Sequence, residues 1–144
     1  MQLAETVSHW SKHPDVQVGA VAVGDFGQIL STGYNGWPRG VVNEEDGRVS
    51  TNDRGFSYTI HAEANLIYNA NLTGTSLRGC SVYIYPVMPC FECAKSIVQV
   101  GIAEVVYVED EDLQIRRDFG KWRQSWALTT DLFKEVGIIF SRIN

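Results

Sequence analysis

Two short segments that lie far apart in the chain carry side chains that bind metal ions. The first reads H-A-E at 61–63 and the second reads P-C-F-E-C at 89–93. Together they offer one imidazole, two thiols and one carboxylate, on His61, Cys90, Cys93 and Glu63. A structural zinc ion is usually closed by four protein ligands, whereas a catalytic zinc ion keeps three and leaves one position for water. The pattern therefore predicts a fold that brings both segments to one catalytic zinc ion.

The spacing also predicts the local structure that would hold these ligands. Cys90 and Cys93 are separated by three positions, so on a helix their side chains lie on one face. Pro89 is suited to a helix start, where its missing N–H has no cost. The positive end of the helix dipole favours thiolates, which are the form that binds metal. His61 is expected to open a second helix, so that two helix N-termini converge on one ion.

Glu63 is the residue that turns a metal site into a catalytic one. It follows His61 by two positions and is expected to lean past the helix end without binding the ion. Zinc lowers the pKa of a bound water to about 7. Glu63 can accept that proton and pass it to a ring nitrogen and then to a departing amine. H-x-E followed by P-C-x-x-C is the sequence pattern of zinc deaminases.

Length, charge and cysteine content restrict the class of protein. The 144 residues suffice for a single domain with a core, which is predicted to span 1–144. The net charge of -5 disfavours nucleic acid as a partner, because phosphate contacts need Lys and Arg. No apolar run approaches the roughly 20 residues of a membrane helix. Three cysteines and no visible signal peptide predict a reducing, cytoplasmic location.

Periodicity and turn residues predict alternating helices and strands. The predicted helices are 3–12, 61–70, 90–100 and 121–136, and the predicted strands are 19–23, 28–34, 81–85, 105–108 and 138–140. In the first helix, Leu3, Val7 and Trp10 are expected on one side. The order predicts an α/β fold in which one five-stranded sheet, mixed near its start and parallel later, is packed between helices.

Other ligand sets remain open at this point. Cys80, His9 and His13 are the remaining Cys and His residues that could close a structural zinc site. Cys80 begins an apolar strand and is expected to be a small buried hydrophobe. The two histidines flank a helix end and are expected to be solvated. A C-x-x-C pair alone could also be redox-active, but it does not follow the first strand of a βαβ unit here.

The sequence resembles the cytidine and deoxycytidylate deaminase superfamily, specifically its deoxycytidylate branch, along nearly the whole chain. The matching segments are H-A-E-A-N at 61–65, P-C-F-E-C-A-K at 89–95, S-K-H-P at 11–14, Q-V-G-A at 17–20 and G-Y-N-G-W-P at 33–38. His13 departs from the usual Asp. The long segment Val41 to Ser57 varies in the family. The resemblance implies a three-layer α/β/α cytidine-deaminase-like fold.

The resemblance also implies an activity and a set of roles. The activity is zinc-dependent hydrolytic deamination of dCMP to dUMP, with His61, Cys90 and Cys93 on zinc and Glu63 as the proton shuttle. The N–H of Ala62 would bind the cytosine carbonyl oxygen, and Asn35 would face the sugar. The 5′-phosphate would meet residues from the end of the first helix and across the cleft, namely Ser11, Lys12 and Tyr85.

Regulation and assembly are further expectations from the resemblance. Many members are homohexamers that dCTP activates and dTTP inhibits, with Mg²⁺ accompanying the triphosphate. Gly33, Asn35 and Gly36 match the turn that binds this effector. Glycine allows the close backbone approach that a phosphate needs. The alternative is a turn that only shapes the wall of the active site.

Two other functions compete with this interpretation. The same kind of site serves other substrates, including dCTP, cytidine and other free nucleosides, guanine, riboflavin precursors and tRNA adenosine. The acidic charge disfavours the tRNA substrate. A zinc-stabilised binding module without catalysis is the other alternative, and Glu63 argues against it because a structural site has no use for that carboxylate.

Overall fold

The structure is a computed structural model that describes residues 1–13, 16–41, 58–109 and 119–143. The expectations for the segment 42–57 lie outside these described residues. Among the described helices, none is both long enough and apolar enough to cross a membrane.

In the described residues, nine helices and strands follow one another in the order that the sequence predicts. They are α1 (Gln2–Ser8), β1 (Gly19–Val23), β2 (Ile29–Tyr34), α2 (Ala62–Thr73), β3 (Ser81–Tyr85), α3 (Phe91–Gln99), β4 (Glu104–Val108), α4 (Phe119–Val136) and β5 (Ile139–Ile143). The last strand is longer than predicted, and α2 continues to Gly74, whose positive φ of 68° ends it.

The five strands form one sheet in the order β2-β1-β3-β4-β5. Strand β1 is antiparallel to both β2 and β3, whereas β3, β4 and β5 are parallel. The prediction of a sheet that is mixed near its start and parallel later is therefore confirmed. Because the sheet turns parallel at β3, helix α3 begins at the carboxyl end of that strand and carries the cysteine segment there.

Helices cover both faces of the sheet, which confirms the three-layer α/β/α arrangement. Ala4 and Val7 of α1 pack with Val21 on one face. On the other face, α2, α3 and α4 share one core with the alternate residues of β1, β3 and β4. Phe133 of α4 is fully buried in that core, and so is Cys80. The prediction that Cys80 is a small buried hydrophobe is confirmed.

Helix α1 is shorter than predicted and presents a different face. It ends at Ser8, not at Lys12, and its buried residues are Ala4, Val7 and Ser8. Trp10 therefore lies beyond the helix, so the prediction that it shares one side of the helix with Leu3 and Val7 is wrong. Leu3 and Trp10 are 39% and 56% exposed, whereas Val7 is fully buried. The Trp10 amide bonds to Val7 three residues back, and the Ser11 amide bonds to Ser8 in the same way. These tighter bonds end the helix and release the chain toward β1.

Gly33 allows the closest contact between β2 and α2. A Cβ atom at this position would lie 2.2 Å from the carbonyl oxygen of Ala62 and 2.3 Å from the amide nitrogen of Leu66. Both are backbone atoms of α2, so they cannot rotate away. The absence of a side chain at Gly33 therefore sets how closely the start of α2 approaches the sheet.

We expect Gly33→Ala to lower the free energy of unfolding by about 3 kcal/mol, because the added methyl group forces α2 away from β2. Gly36→Ala is the matched control, since a Cβ there meets only the Tyr34 side chain at 3.7 Å. Urea unfolding of both variants measures the difference. Equal stability of the two variants would contradict the packing role of Gly33.

Candidate metal centre

The zinc-ligand candidates lie at the N-termini of two helices. His61 is the N-cap of α2, and Cys90 is the N-cap of α3. Both have extended backbone angles, with ψ of 156° and 165°, so their side chains project beyond the first turn. Cys93, the third residue of α3, lies on the same side as Cys90. The structure thus brings together the two segments that the sequence predicted to converge.

The distances between the three side chains match a metal site. Nδ1 of His61 lies 3.3 Å from Sγ of Cys90 and 3.5 Å from Sγ of Cys93. All three candidate ligand atoms lie within 4.8 Å of one another. A tetrahedral zinc ion with ordinary bond lengths would separate an imidazole nitrogen from a thiolate sulfur by about 3.6 Å. The donor set and its spacing therefore fit zinc.

The two thiols differ in their affinity for protons. The pKa of Cys90 is lowered to about 4, chiefly by the hydrogen bond with Cys93 and also by His61, while burial opposes the shift. The pKa of Cys93 is raised, first by its hydrogen bond to Cys90 and then by burial. One proton is thus shared between the two sulfurs. Because both must be thiolates to bind zinc, binding would release that proton and weaken as the pH falls.

Glu63 lies beside this cluster without belonging to the ligand set. It is the second residue of α2 and is 4% exposed. Burial raises the pKa of its carboxyl group, while the nearby His61 opposes that shift. A hydrogen bond with Cys93 also lowers the pKa of Glu63. A buried carboxyl group with a raised pKa next to a metal site is typical of a general base.

Asn35 and Ser11 occupy structural positions in a buried network. Oδ1 of Asn35 accepts a hydrogen bond from the Val18 amide at 2.8 Å, and its Nδ2 donates to the Val16 carbonyl at 2.9 Å. The Ser11 hydroxyl donates to the Asn35 carbonyl at 2.8 Å. These bonds fix the connection between α1 and β1. The side chains that the sequence predicted to meet the substrate therefore hold the backbone beside Lys12.

The other predicted substrate contacts are divided between the two faces of the sheet. Ala62 is the first residue of α2, where an amide has no acceptor within its own helix. Tyr85 ends β3 and packs against the cluster of Ala4, Val7 and Val21. It therefore lies on the face that α1 covers, whereas α2 and α3 lie on the opposite face.

A cavity of about 470 Å³ opens beside α2. Its described lining includes Lys12, Gly36, Arg39 and Asn65, together with aromatic side chains. His61, Glu63 and the two cysteines are not among these lining residues. Lys12 and Arg39 both line this cavity, and sequence reasoning missed Arg39.

Helix α4 supplies contacts to the metal centre that the motifs do not reveal. The ring of Trp122 lies 6.4 Å from the His61 ring, centroid to centroid, and Trp126 stacks on Trp122 at 6.3 Å. Ser125 and Thr129 contact the segment that contains Cys90. These residues and Phe133 recur at the spacing of one helix face, which is the signal that could have found them.

Comparison with known proteins identifies the family and relatives. The cytidine and deoxycytidylate deaminase zinc-binding region matches residues 1–109. The human deoxycytidylate deaminase is 40% identical over 115 residues, which cover 77% of this chain and 63% of the human protein. The "uncharacterized deaminase in luxG 3′ region" of Aliivibrio fischeri is 36% identical over 140 residues, covering 95% of this chain and 86% of that protein.

Solved structures share the fold. The dCMP deaminase from cyanophage S-TIM5, in complex with dCMP and dUMP, superposes with a TM-score of 0.72 at 27% identity. The match covers 99% of this chain and 92% of the phage protein. The matched region at 1–109 contains both halves of the metal centre described above. The chain therefore belongs to the cytidine and deoxycytidylate deaminase family of zinc-binding enzymes.

Proposed function

We propose that this protein catalyses the zinc-dependent hydrolytic deamination of dCMP to dUMP. The observation that carries the proposal is the approach of His61 Nδ1 to both thiols, within 3.5 Å, with the buried Glu63 beside them. Three ligands and one free carboxylate suit catalysis better than a closed structural site. The choice of dCMP is supported by relatives that are named deoxycytidylate deaminase and by the phage structure that contains dCMP and dUMP.

The residues of the chain divide the chemistry between them. Zinc, when bound by His61, Cys90 and Cys93, supplies the Lewis acidity that makes water nucleophilic at neutral pH. Glu63 would accept a proton from the attacking water and pass it to N3 of the pyrimidine, where it stays. After the water oxygen has added at C4, Glu63 would carry the second proton, from the new C4 hydroxyl, to the amino group. The C4–N4 bond then breaks, and the products are dUMP and ammonia. The Ala62 amide donates to the cytosine carbonyl oxygen.

The structure suggests how the sugar and phosphate contacts are organised. Ser11 and Asn35 are buried and fix the loop backbone, and this supports a role in shaping the pocket rather than in direct binding. Lys12 is the exposed member of the set and can reach an anion. Tyr85 remains a predicted phosphate contact, although its packing on the α1 side supports a structural role.

We also propose regulation by dCTP as activator and dTTP as inhibitor, with Mg²⁺ accompanying the triphosphate. The cavity of about 470 Å³ supports this, because Lys12 and Arg39 give it positive charge and Gly36 lines it. Gly33 instead makes the close contact with α2, and Asn35 holds the loop. The homohexameric or other homo-oligomeric assembly and the cytoplasmic location stay predictions from the family resemblance.

A substrate panel tests the proposed reaction. We expect dCMP to be turned over faster than CMP, dCTP, deoxycytidine or guanine, because the proposed site recognises a monophosphate. The panel is run with and without added dCTP, and dTTP is titrated separately. Ammonia release and product chromatography measure turnover. If dCMP is not turned over and another substrate is turned over rapidly, the proposed substrate is wrong. If neither dCTP nor dTTP changes the kinetics, regulation is excluded under those conditions.

Glu63→Gln should retain zinc and the fold but lose about 10²–10⁴-fold in kcat, because the amide cannot accept the proton of the attacking water. Glu92→Gln is the control, since Glu92 lies in α3 and its exposed carboxylate pairs with Lys95 at 2.7 Å. Steady-state kinetics and metal analysis on both variants measure the effect. A fully active Glu63→Gln enzyme would falsify the proton-shuttle role.

The same substitution has a second effect on the zinc-free protein. In the unfolded chain the carboxyl group of Glu63 has its ordinary pKa, and burial raises that pKa in the fold. Between these two pKa values the folded state binds more protons, so stability falls as pH rises through that window. Glutamine does not titrate. In the presence of chelator, the free energy of unfolding of Glu63→Gln, measured with urea, should therefore fall less than that of the parent over this pH range. Parallel plots of unfolding free energy against pH for the two proteins would contradict the raised pKa.

Cys90→Ala should lose zinc, because it removes one of the three ligands. Cys80→Ala is the matched control, because Cys80 is also buried but lies in the core among apolar residues. Metal analysis after dialysis measures the zinc content of both variants. Stoichiometric zinc in Cys90→Ala would show that the ligand set is wrong.

A further inference from the structure

The first turn of α3 lacks the usual side-chain cap. An N-cap side chain normally accepts a hydrogen bond from an amide of that turn. Cys90 occupies this position and makes no such bond, since its sulfur faces His61 instead. The Cys90 side chain thus occupies the N-cap position of α3 and is also a candidate metal ligand. The amides at the start of α3 require acceptors from elsewhere.

Helix α4 provides bonds on both sides of Cys90. The Phe91 amide, which follows Cys90, donates to the Ser125 hydroxyl at 2.8 Å. The Thr129 hydroxyl donates to the carbonyl of Pro89, which precedes Cys90, at 3.2 Å. Ser125 and Thr129 lie one turn apart on the same face of α4. The backbone on either side of the ligand is therefore attached to one rigid helix.

The bond between Thr129 and Pro89 is buried, and the bond between Phe91 and Ser125 is partly buried. Thr129 is fully buried, and Pro89 is among the fully buried side chains. A buried polar group that loses its partner keeps its full desolvation cost, so the segment would move to recover a partner. Any such movement displaces Sγ of Cys90 from Nδ1 of His61. The position of the sulfur therefore depends on hydroxyl groups that never touch the ion.

We propose that Ser125 and Thr129 are positioning residues for zinc, acting through the backbone on both sides of Cys90. This inference rests on the ligand set of the proposed function. Residues that hold a metal ligand in place typically change metal affinity or activity about 10- to 100-fold when they are removed. The Ser125 hydroxyl thus supplies an acceptor at the start of α3, and together with the Thr129 hydroxyl it fixes the position of Cys90.

Matched threonines on α4 allow a controlled test. Thr129→Val removes the hydroxyl that bonds to Pro89 and keeps the side-chain shape. Thr130→Val makes the same change one residue later, where the hydroxyl donates to the Trp126 carbonyl of its own helix at 3.0 Å. Ser125→Ala removes the second contact, and Ser125→Thr retains a hydroxyl. Ser125 is only partly buried, so its variants remain informative if Thr129→Val fails to fold.

Zinc affinity, measured by competition with a chromophoric chelator, is the main readout. We expect Thr129→Val and Ser125→Ala to bind zinc about 10- to 100-fold more weakly than the parent, with Ser125→Thr restoring affinity and Thr130→Val unchanged. The Co²⁺-substituted protein should show altered thiolate charge-transfer absorption in the first two variants only. The zinc-induced rise in melting temperature should shrink in the same two variants.

The outcomes separate this inference from the proposed function. If the parent holds zinc and both variants bind it as tightly as Thr130→Val, the positioning role is overturned while the ligand set stands. Equal falls in melting temperature with and without zinc would likewise show a merely structural role. If the parent itself holds no zinc, the proposed function and this inference are overturned together.

Discussion

The convergence of two helix N-termini is the constraint on which the rest of the structure depends. The N-cap side chain of each helix lies in the metal centre, so both helices must begin at the same place next to the sheet. Helix α3 meets this condition because it starts at the carboxyl end of β3. Helix α2 meets it because β2 presents Gly33 to the Ala62 carbonyl and allows close contact. The sheet thus acts as the common reference for both ligands.

The residues that carry chemistry could be predicted from the sequence because their signal is local. Cys90 and Cys93 are three positions apart, and Glu63 follows His61 by two, so a short motif already contains the geometry. The element order could be predicted for the same reason, since each buried strand is a short apolar run bounded by turn residues. The structure brings together the four residues of these motifs, His61, Glu63, Cys90 and Cys93.

What could not be predicted depends on contacts between distant segments. Trp10 carries the apolar periodicity of α1, but the helix ends before it and the ring meets Tyr34 at 6.1 Å near the surface. The hydrogen bonds of the Asn35 side chain to Val16 and Val18 likewise join separate segments, and the G-Y-N-G turn does not reveal them. The hydroxyl contacts of α4 span about 40 positions of sequence, from Pro89 to Thr129, and carry no motif. Packing decides these roles after the motifs are in place.

Helix α2 faces two compartments at once. Its start carries Glu63 and follows His61 at the metal centre, while Asn65 and Asn69, further along, line the cavity. A helix that packs against a sheet moves largely as one body. A small sliding of α2 along its own axis would therefore change the cavity wall and the separation between His61 Nδ1 and the α3 sulfurs in the same motion. Helix α2 thus connects the metal centre with the cavity, and it contacts β2 closely at Gly33.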